Sequence, residues 1–214
     1  MPIVRFFSIL GLIFFAGLLL PATQAGDNKR QRPAQWATPV GTQYNLNQMT
    51  PTLYRSTLPD SNALPILTRL NITTVINFLP EADSSWLSDP GIKQVQLPYR
   101  ISHIDDADVL TVLRAIKDAE DRGSVLIHDK QGTERTGLMA AMYRVVVQGW
   151  SKEEALSEMM MGGFDGSSYF KDSIRYMMQA PVDKLREALA SGACSTSPYA
   201  TCNVQNWVKS ADKP

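Results

Sequence analysis

The stretch from 128 to 137, HDKQGTERTG, holds residue types that together can bind a phosphate-sized anion. Gly132 permits a tight loop whose consecutive backbone N–H groups turn inward. Arg135 supplies a planar guanidinium that suits two phosphate oxygens at once. A carboxylate, Asp129, stands in the same loop. The stretch therefore combines the parts of an anion cradle with an anion of its own.

The segments on either side of this stretch are predicted to position it. Residues 124–127 form a short apolar run typical of a strand, and residues 136–148 have the composition of a helix that ends at Gly149. A helix that begins near Arg135 directs the positive end of its dipole at the loop. Strand, loop and helix in this order predict a cradle for a phosphate group.

The rest of the chain alternates between strand and helix patterns. Strands are predicted at 52–56, 72–79, 93–97 and 124–127, and helices at 61–70, 105–122, 136–148, 151–162, 167–179 and 182–190. This alternation predicts an α/β fold with a central, mostly parallel sheet flanked by helices. We expect one domain over 44–208, preceded by a flexible segment at 26–43 and followed by a tail at 209–214.

The first 25 residues are predicted to be a secretory signal peptide. Arg5 precedes a 15-residue apolar run, 6–20, and small residues lead up to Ala25. A membrane-spanning anchor is the alternative, but such a span needs about 20 apolar residues. Cleavage after Ala25 leaves 189 residues, with no stable membrane span. We therefore expect a periplasmic or secreted protein.

The charge of the mature chain argues against a nucleic-acid partner. Its formal charge is −1, because Arg5 is the one charged residue in the first 25. This balance provides no electrostatic footprint for nucleic acid or for an anionic membrane surface. Recognition of an anion must therefore be local, and we expect the protein to act as a monomer.

The two cysteines, Cys194 and Cys202, are predicted to form a disulfide that pins the C-terminal tail. A close, even pair in an oxidising compartment is typical of a disulfide. A metal site is the alternative, but the chain has two histidines and neither lies near the pair. We predict neither a metal nor another cofactor.

The stretch at 128–137 resembles the H-C-x5-R-[ST]-G signature of the protein tyrosine phosphatase superfamily, and its dual-specificity branch in particular. The residues at the expected places are His128, Gly132, Arg135, Thr136 and Gly137. LYRSTLP at 53–59, AAMYRVVVQGW at 140–150 and the spaced cysteine pair look like those of secreted bacterial tyrosine phosphatases related to biofilm formation. The resemblance covers about residues 44–208 and implies a dual-specificity phosphatase-like fold.

The resemblance also implies roles for the residues of the loop. In the family, position 129 is a cysteine whose thiolate attacks phosphorus, and the loop amides, the arginine and the helix dipole lower the pKa of that thiol. The residue at 136 helps to hold the thiolate, and His128 supports the loop by hydrogen bonding. The implied phosphate-binding residues are Lys130, Gln131, Gly132, Thr133, Glu134 and Arg135. Asp129 takes the place of the nucleophile.

A second family requirement is an aspartic acid on a separate loop that protonates the leaving oxygen. The resemblance places this acid near Ser102 and His103. Asp105 is a candidate for it, but a carboxylate in the first turn of a helix is the alternative interpretation of this residue. If Ser102 occupies the place of the acid, the chain has lost both chemical groups.

Three functions are compatible with Asp129. The first is a pseudophosphatase that binds a phosphorylated protein, a small phosphomonoester or another protein partner. The second is a phosphatase whose parent sequence carries cysteine at 129 and hydrolyses phosphomonoesters. The third is catalysis through an aspartyl-phosphate, although a carboxylate is a poor nucleophile toward a phosphate monoester without a metal. For the first, we predict that Asp129 accepts hydrogen bonds from the loop amides and Arg135 and fills part of the phosphate site.

Overall fold

The computed structural model describes residues 32–164 and 170–193, and its described part centres on a six-stranded sheet. The strands are β1 (Thr38–Pro39), β2 (Asn47–Gln48), β3 (Leu53–Ser56), β4 (Ile72–Asn77), β5 (Lys93–Gln96) and β6 (Ser124–His128). Their order is β1-β2-β3-β6-β4-β5, in which β3, β6, β4 and β5 run parallel. β1 and β2 pair antiparallel at one edge. The predicted α/β fold with a mostly parallel central sheet is confirmed in these residues.

Helices cover both faces of the sheet. They are α1 (Leu64–Arg69), α2 (Asp106–Glu120), α3 (Arg135–Val146), α4 (Lys152–Met161), α5 (Lys171–Gln179) and α6 (Val182–Ser191). Side chains alternate between the faces of a strand. In β6, Val125 and Ile127 therefore pack in the larger core with α2 to α6, whereas Leu126 packs on the opposite face with Leu67 of α1.

Local sequence signals account for where two of these helices begin. Asp105 caps α2, because its side chain accepts a hydrogen bond from the Asp108 amide and its own amide donates one to the Asp108 carboxylate. Ser151 and Glu154 form the same reciprocal arrangement at the start of α4. These capping boxes satisfy backbone N–H groups that have no partner inside the helix.

The flexible segment predicted at 26–43, and the domain start near Tyr44 that follows from it, were wrong for the part that the structure describes. Ala37 is buried, and its amide donates a hydrogen bond to Glu158 Oε1 at 2.5 Å. Thr38 and Pro39 form β1 at the edge of the sheet. A two-residue strand is too short to show an alternating pattern, so composition alone suggested a flexible lead-in.

Several predictions concern residues outside the described ranges. They are the signal peptide at 1–25, the Cys194–Cys202 disulfide, the tail at 209–214 and the beginning of the helix predicted from 167; all of them stay predictions. Across residues 32–164 and 170–193, no helix has the length and apolar character that a membrane crossing requires.

Candidate active site

The predicted loop lies at the carboxyl end of the parallel strands, between β6 and α3. β6 ends at His128 and α3 begins at Arg135. Because β6 lies between β3 and β4, the segments that follow these two strands flank the loop. The Leu58 amide donates to the Lys130 carbonyl at 3.3 Å, and the Phe78 amide donates to the His128 carbonyl at 3.0 Å. This edge of a parallel α/β sheet is where ligands bind.

The Asp129 side chain turns into the loop and is 3% exposed. Its Oδ1 accepts a hydrogen bond from the Gly132 amide, and its Oδ2 accepts one from the Arg135 amide at 3.1 Å. The second donor belongs to the first residue of α3, where the helix dipole favours negative charge. The carboxylate thus occupies a place where the loop directs its backbone donors, as predicted.

The contribution of Arg135 to this arrangement differs from the prediction in one respect. Its hydrogen bond to Asp129 comes from the backbone amide, whereas its guanidinium Nε donates to the Tyr99 carbonyl at 3.1 Å. The Tyr99 hydroxyl in turn donates to the Arg135 carbonyl at 2.7 Å. Burial raises the pKa of Tyr99 well above its usual value, and the charge of Asp129 raises it further. Tyr99 therefore remains a neutral donor that fixes the start of α3.

Gly132 is the residue at which the loop requires glycine. Its φ is +70°, and a Cβ built there would lie 2.5 Å from the carbonyl oxygen of Ser56. The left-handed backbone disfavours other residues, and the close approach of β3 leaves no room for a Cβ. The glycine is what allows the loop to fold back so that its amide reaches Asp129.

Arg55 of β3 supports the loop through a hydrogen bond. The sequence analysis did not identify it as a site residue. Its Nη2 donates to the Gly132 carbonyl at 2.7 Å, and its Cζ lies 3.6 Å from the centroid of the Phe164 ring. Burial lowers the pKa of Arg55 to about 10, so that it stays charged at neutral pH. The available signal was a charged residue inside the predicted strand at 52–56.

His128 supports the loop through a buried network. Its Nε2 lies 2.9 Å from Asp83 Oδ2, and both side chains are buried. Asp83 Oδ1 also accepts hydrogen bonds from Asn77 Nδ2 at 3.0 Å and from Trp86 Nε1 at 2.9 Å. The carboxylate therefore joins the segment after β4 to the end of β6. Asp83 carried no signal that sequence reasoning could use.

The remaining loop residues divide between solvent and interior. Lys130 and Gln131 are exposed, Thr133 and Thr136 are buried, and Glu134 is half-buried. The Thr136 hydroxyl has no hydrogen-bond partner among the described residues. A buried hydroxyl without a partner is uncommon and calls for an explanation. The resemblance to the phosphatase signature implies that this hydroxyl helps to hold a thiolate at position 129.

The candidates for the general acid lie on the segment that leads into α2. Asp105 is the N-cap of this helix and exchanges hydrogen bonds with Asp108. This position fits the alternative interpretation of Asp105, a carboxylate at the N-terminus of a helix. Ser102 is exposed, and its Oγ lies 2.8 Å from Nδ1 of His103. A catalytic role for Asp105 stays a prediction. In the described part of the chain, no group of three or more His, Cys, Asp or Glu residues could hold a metal ion.

Comparisons with known proteins point to one family. A family model described as the tyrosine phosphatase family matches residues 42–174. The dual specificity protein phosphatase TpbA of Pseudomonas aeruginosa (strain UCBPP-PA14) is 44% identical over 207 residues, which are 96% of this chain and 95% of that protein. A crystal structure of P. aeruginosa TpbA superposes with a TM-score of 0.72 at 46% identity, covering 74% of this chain and 99% of the other.

A second crystal structure shows a cysteine-to-serine variant of P. aeruginosa TpbA in complex with phosphotyrosine. Its TM-score is also 0.72, at 46% identity, and the similarity covers 75% of this chain and 99% of the other. That relative binds phosphotyrosine in this state.

Proposed function

The chain belongs to the tyrosine phosphatase family, and from that premise we propose that it is a pseudophosphatase that binds a protein partner through the surface around its phosphate loop. The single observation that carries the proposal is the pair of hydrogen bonds from the Gly132 and Arg135 amides to Asp129. A carboxylate in this place uses donors that would otherwise stabilise a phosphoryl group.

The chemistry expected of Asp129 supports the loss of catalysis. The family reaction begins with a thiolate that attacks phosphorus, and a carboxylate replaces that thiolate here. Its negative charge also repels an incoming phosphate dianion at close range. Removal of a covalent nucleophile lowers the rate by about 10⁶-fold in a well-studied hydrolase. We therefore infer that the chain as written does not turn over phosphomonoesters.

The proposed class of ligand rests on a relative of this chain and not on the geometry of the phosphate loop. A relative 46% identical to this chain is crystallised with phosphotyrosine. By that likeness, the partner that this surface fits is a protein segment bearing an uncharged residue of similar shape to phosphotyrosine, or phosphotyrosine itself, bound more weakly than by a loop that lacks the Asp129 charge. Phosphoserine, phosphothreonine and small phosphomonoesters are the other ligands that a loop of this family suits.

The second candidate is a phosphatase that acts through a cysteine at 129. The observation in its favour is that the cradle is retained around Asp129. Gly132 keeps its left-handed backbone, Arg55 supports it, and the Thr136 hydroxyl is buried with no partner. A thiolate at 129 would give that hydroxyl an acceptor.

We further propose that the protein works outside the cytoplasm. The proposal rests on the signal-peptide pattern of residues 1–25 and on the close pair Cys194 and Cys202. Cleavage after Ala25 and a disulfide between these cysteines are its two consequences. Mass spectrometry of the purified, non-reduced mature protein tests both.

Turnover of an aryl phosphate tests the proposed loss of catalysis. The purified chain as written and its Asp129→Cys variant are assayed with p-nitrophenyl phosphate in the presence of a chelator, with Asp129→Ser as the matched control. We expect turnover by the cysteine variant alone. Hydrolysis by the chain as written at a rate similar to that of Asp129→Cys would overturn the proposal, and an acid-stable acyl-phosphate on Asp129 would establish the aspartyl-phosphate route instead.

A further inference from the structure

A cavity of about 230 Å³ lies directly beside the phosphate loop. Its apolar lining comes from Leu58, Leu79, Ala82 and Trp86, and Glu81 and Lys130 complete its rim. Leu58 is 39% exposed, which is unusual for a large apolar residue in the described part of the chain. We call this the Leu58 cavity.

The Leu58 cavity is continuous with the loop that defines the site. Lys130, which lines it, follows Asp129 directly in the chain, and its carbonyl accepts the hydrogen bond from the Leu58 amide at 3.3 Å. The floor is tied to the same loop, because Trp86 donates to the Asp83 carboxylate that also holds His128. A ligand seated on the loop therefore adjoins this cavity.

The charges around the Leu58 cavity indicate what it can hold. Lys130 and Glu81 carry opposite charges at its rim, so together they give the cavity no net charge that would select an ionic group. The Asp83 carboxylate is already hydrogen-bonded to Asn77, Trp86 and His128. Apart from the hydroxyl of Ser85, what remains for a ligand is mainly apolar surface. The volume is below the roughly 300–1,000 Å³ of sites for drug-sized molecules, which favours a single side chain.

We propose that the Leu58 cavity binds an apolar side chain, of about the size of leucine, from the partner segment that lies across the phosphate loop. This inference rests on the proposed function and adds a specificity-determining pocket to it. The residue concerned is the immediate neighbour of the phosphorylated or phosphate-like residue, because the cavity shares Lys130 with the loop. Burial of one leucine side chain is worth on the order of a tenfold gain in affinity or more.

Phosphotyrosyl peptides provide the probe, and the Asp129→Ser variant provides a loop freed of its own carboxylate. Peptides carry leucine, glycine or aspartate at the position before or after phosphotyrosine, and their affinities are measured by fluorescence anisotropy. We expect leucine at one of these positions to bind about tenfold more tightly than glycine. Aspartate at that position should gain nothing over glycine.

Two further substitutions test whether the preference arises in the Leu58 cavity. Leu58→Gln removes its apolar rim, and Ala82→Trp fills it; each is expected to reduce the preference for leucine to about twofold or less. Met178→Gln, which changes another exposed apolar residue that does not line this cavity, should leave the preference intact. Affinity for free phosphotyrosine should stay the same in all three.

The outcomes separate this inference from the proposed function. Binding of free phosphotyrosine without any preference for leucine would overturn the inference and leave the proposed function standing. A leucine preference that survives both Leu58→Gln and Ala82→Trp would also overturn it. If Asp129→Ser binds neither free phosphotyrosine nor any of the peptides, the proposed function fails, and the inference fails with it.

Discussion

The Gly132 amide donates a hydrogen bond to the Asp129 carboxylate, so the phosphate loop binds one of its own side chains. The Arg135 amide donates to the other carboxylate oxygen at 3.1 Å. In a phosphatase of this family, donors of this loop serve the substrate phosphate. The same architecture is thus retained around a carboxylate, where the family has a thiolate nucleophile.

The backbone of Gly132 leads to the first prediction. Gly132→Ala should destabilise the protein more than Gly149→Ala, although both glycines have positive φ values, +70° and +76°. A Cβ at 149 meets nothing within 4 Å, so this variant should lose only about 1–2 kcal/mol from the strained backbone. At 132 the clash with the Ser56 carbonyl adds roughly 1–3 kcal/mol. The free energy of unfolding from urea titrations measures both.

Gly149→Ala is the control that isolates the loss of stability caused by the clash between residue 132 and Ser56. Equal losses in the two variants would show that β3 can move away from the loop at little cost. Phosphotyrosine binding by both variants is then measured in the Asp129→Ser background. If Gly132→Ala alone loses binding, the loop conformation itself is required for binding.

A second prediction concerns the general acid. In the Asp129→Cys background, Ser102→Asp should speed hydrolysis of phenyl phosphate by about a hundredfold, because a poor leaving group needs protonation. Hydrolysis of p-nitrophenyl phosphate should change far less, since its leaving group departs without a proton. Steady-state kcat values for the two substrates provide the measurement.

Asp105→Asn in the same background is the matched control for Ser102→Asp. Because asparagine caps a helix about as well as aspartate, this variant should keep the start of α2 intact and leave the ratio of the two kcat values unchanged. A selective loss of phenyl phosphate hydrolysis in Asp105→Asn would instead identify Asp105 as the acid.

The third prediction follows from Asp106, which is buried at the start of α2. Burial raises the pKa of this carboxyl above its usual value; the hydrogen bond from Tyr176 at 2.7 Å opposes that shift, and the charge of Asp105 adds to it. The folded state therefore holds the proton to higher pH than the unfolded state. Stability from this group is present below the unfolded pKa of about 3.9 and is lost as pH rises through the folded pKa.

Asp106→Asn removes this titration and retains an acceptor for Tyr176. Its free energy of unfolding, relative to that of the chain as written, should therefore increase as pH rises from about 4 to about 7. Asp108, whose pKa burial also raises, titrates in both proteins and cancels in the comparison. A pH-independent difference for Asp106→Asn would contradict the prediction.

The part of the site that could be predicted from sequence is the part that is local in the chain. Residues 124–146 form a strand, a loop and a helix in succession, and each has its own pattern of apolar residues, glycine or charge. The supports of the loop come from elsewhere. Arg55 lies 77 residues from Gly132, Asp83 lies 45 residues from His128, and Tyr99 lies 36 residues from Arg135. Only the order of strands in the sheet brings them together.

The hydrogen bonds of Asp129 illustrate the same limit. The sequence predicted a carboxylate bound by loop amides, because the loop composition implies inward N–H groups. It could not predict that the Arg135 guanidinium would instead donate to the Tyr99 carbonyl, since this depends on how the segment after β5 packs. Likewise, the two-residue strand β1 could be identified only from its pairing with β2 in the structure.

The affinity for phosphotyrosine of the chain as written, compared with that of Asp129→Ser, tests the central claim most directly. If the carboxylate fills the anion site, its removal frees the Gly132 and Arg135 amides, and calorimetry should show binding on the order of tenfold tighter or more. Asp129→Asn, which removes the charge and keeps the shape, should fall between the two. Equal affinities in all three proteins would contradict the account, because they would mean that Asp129 does not compete with phosphate for the loop.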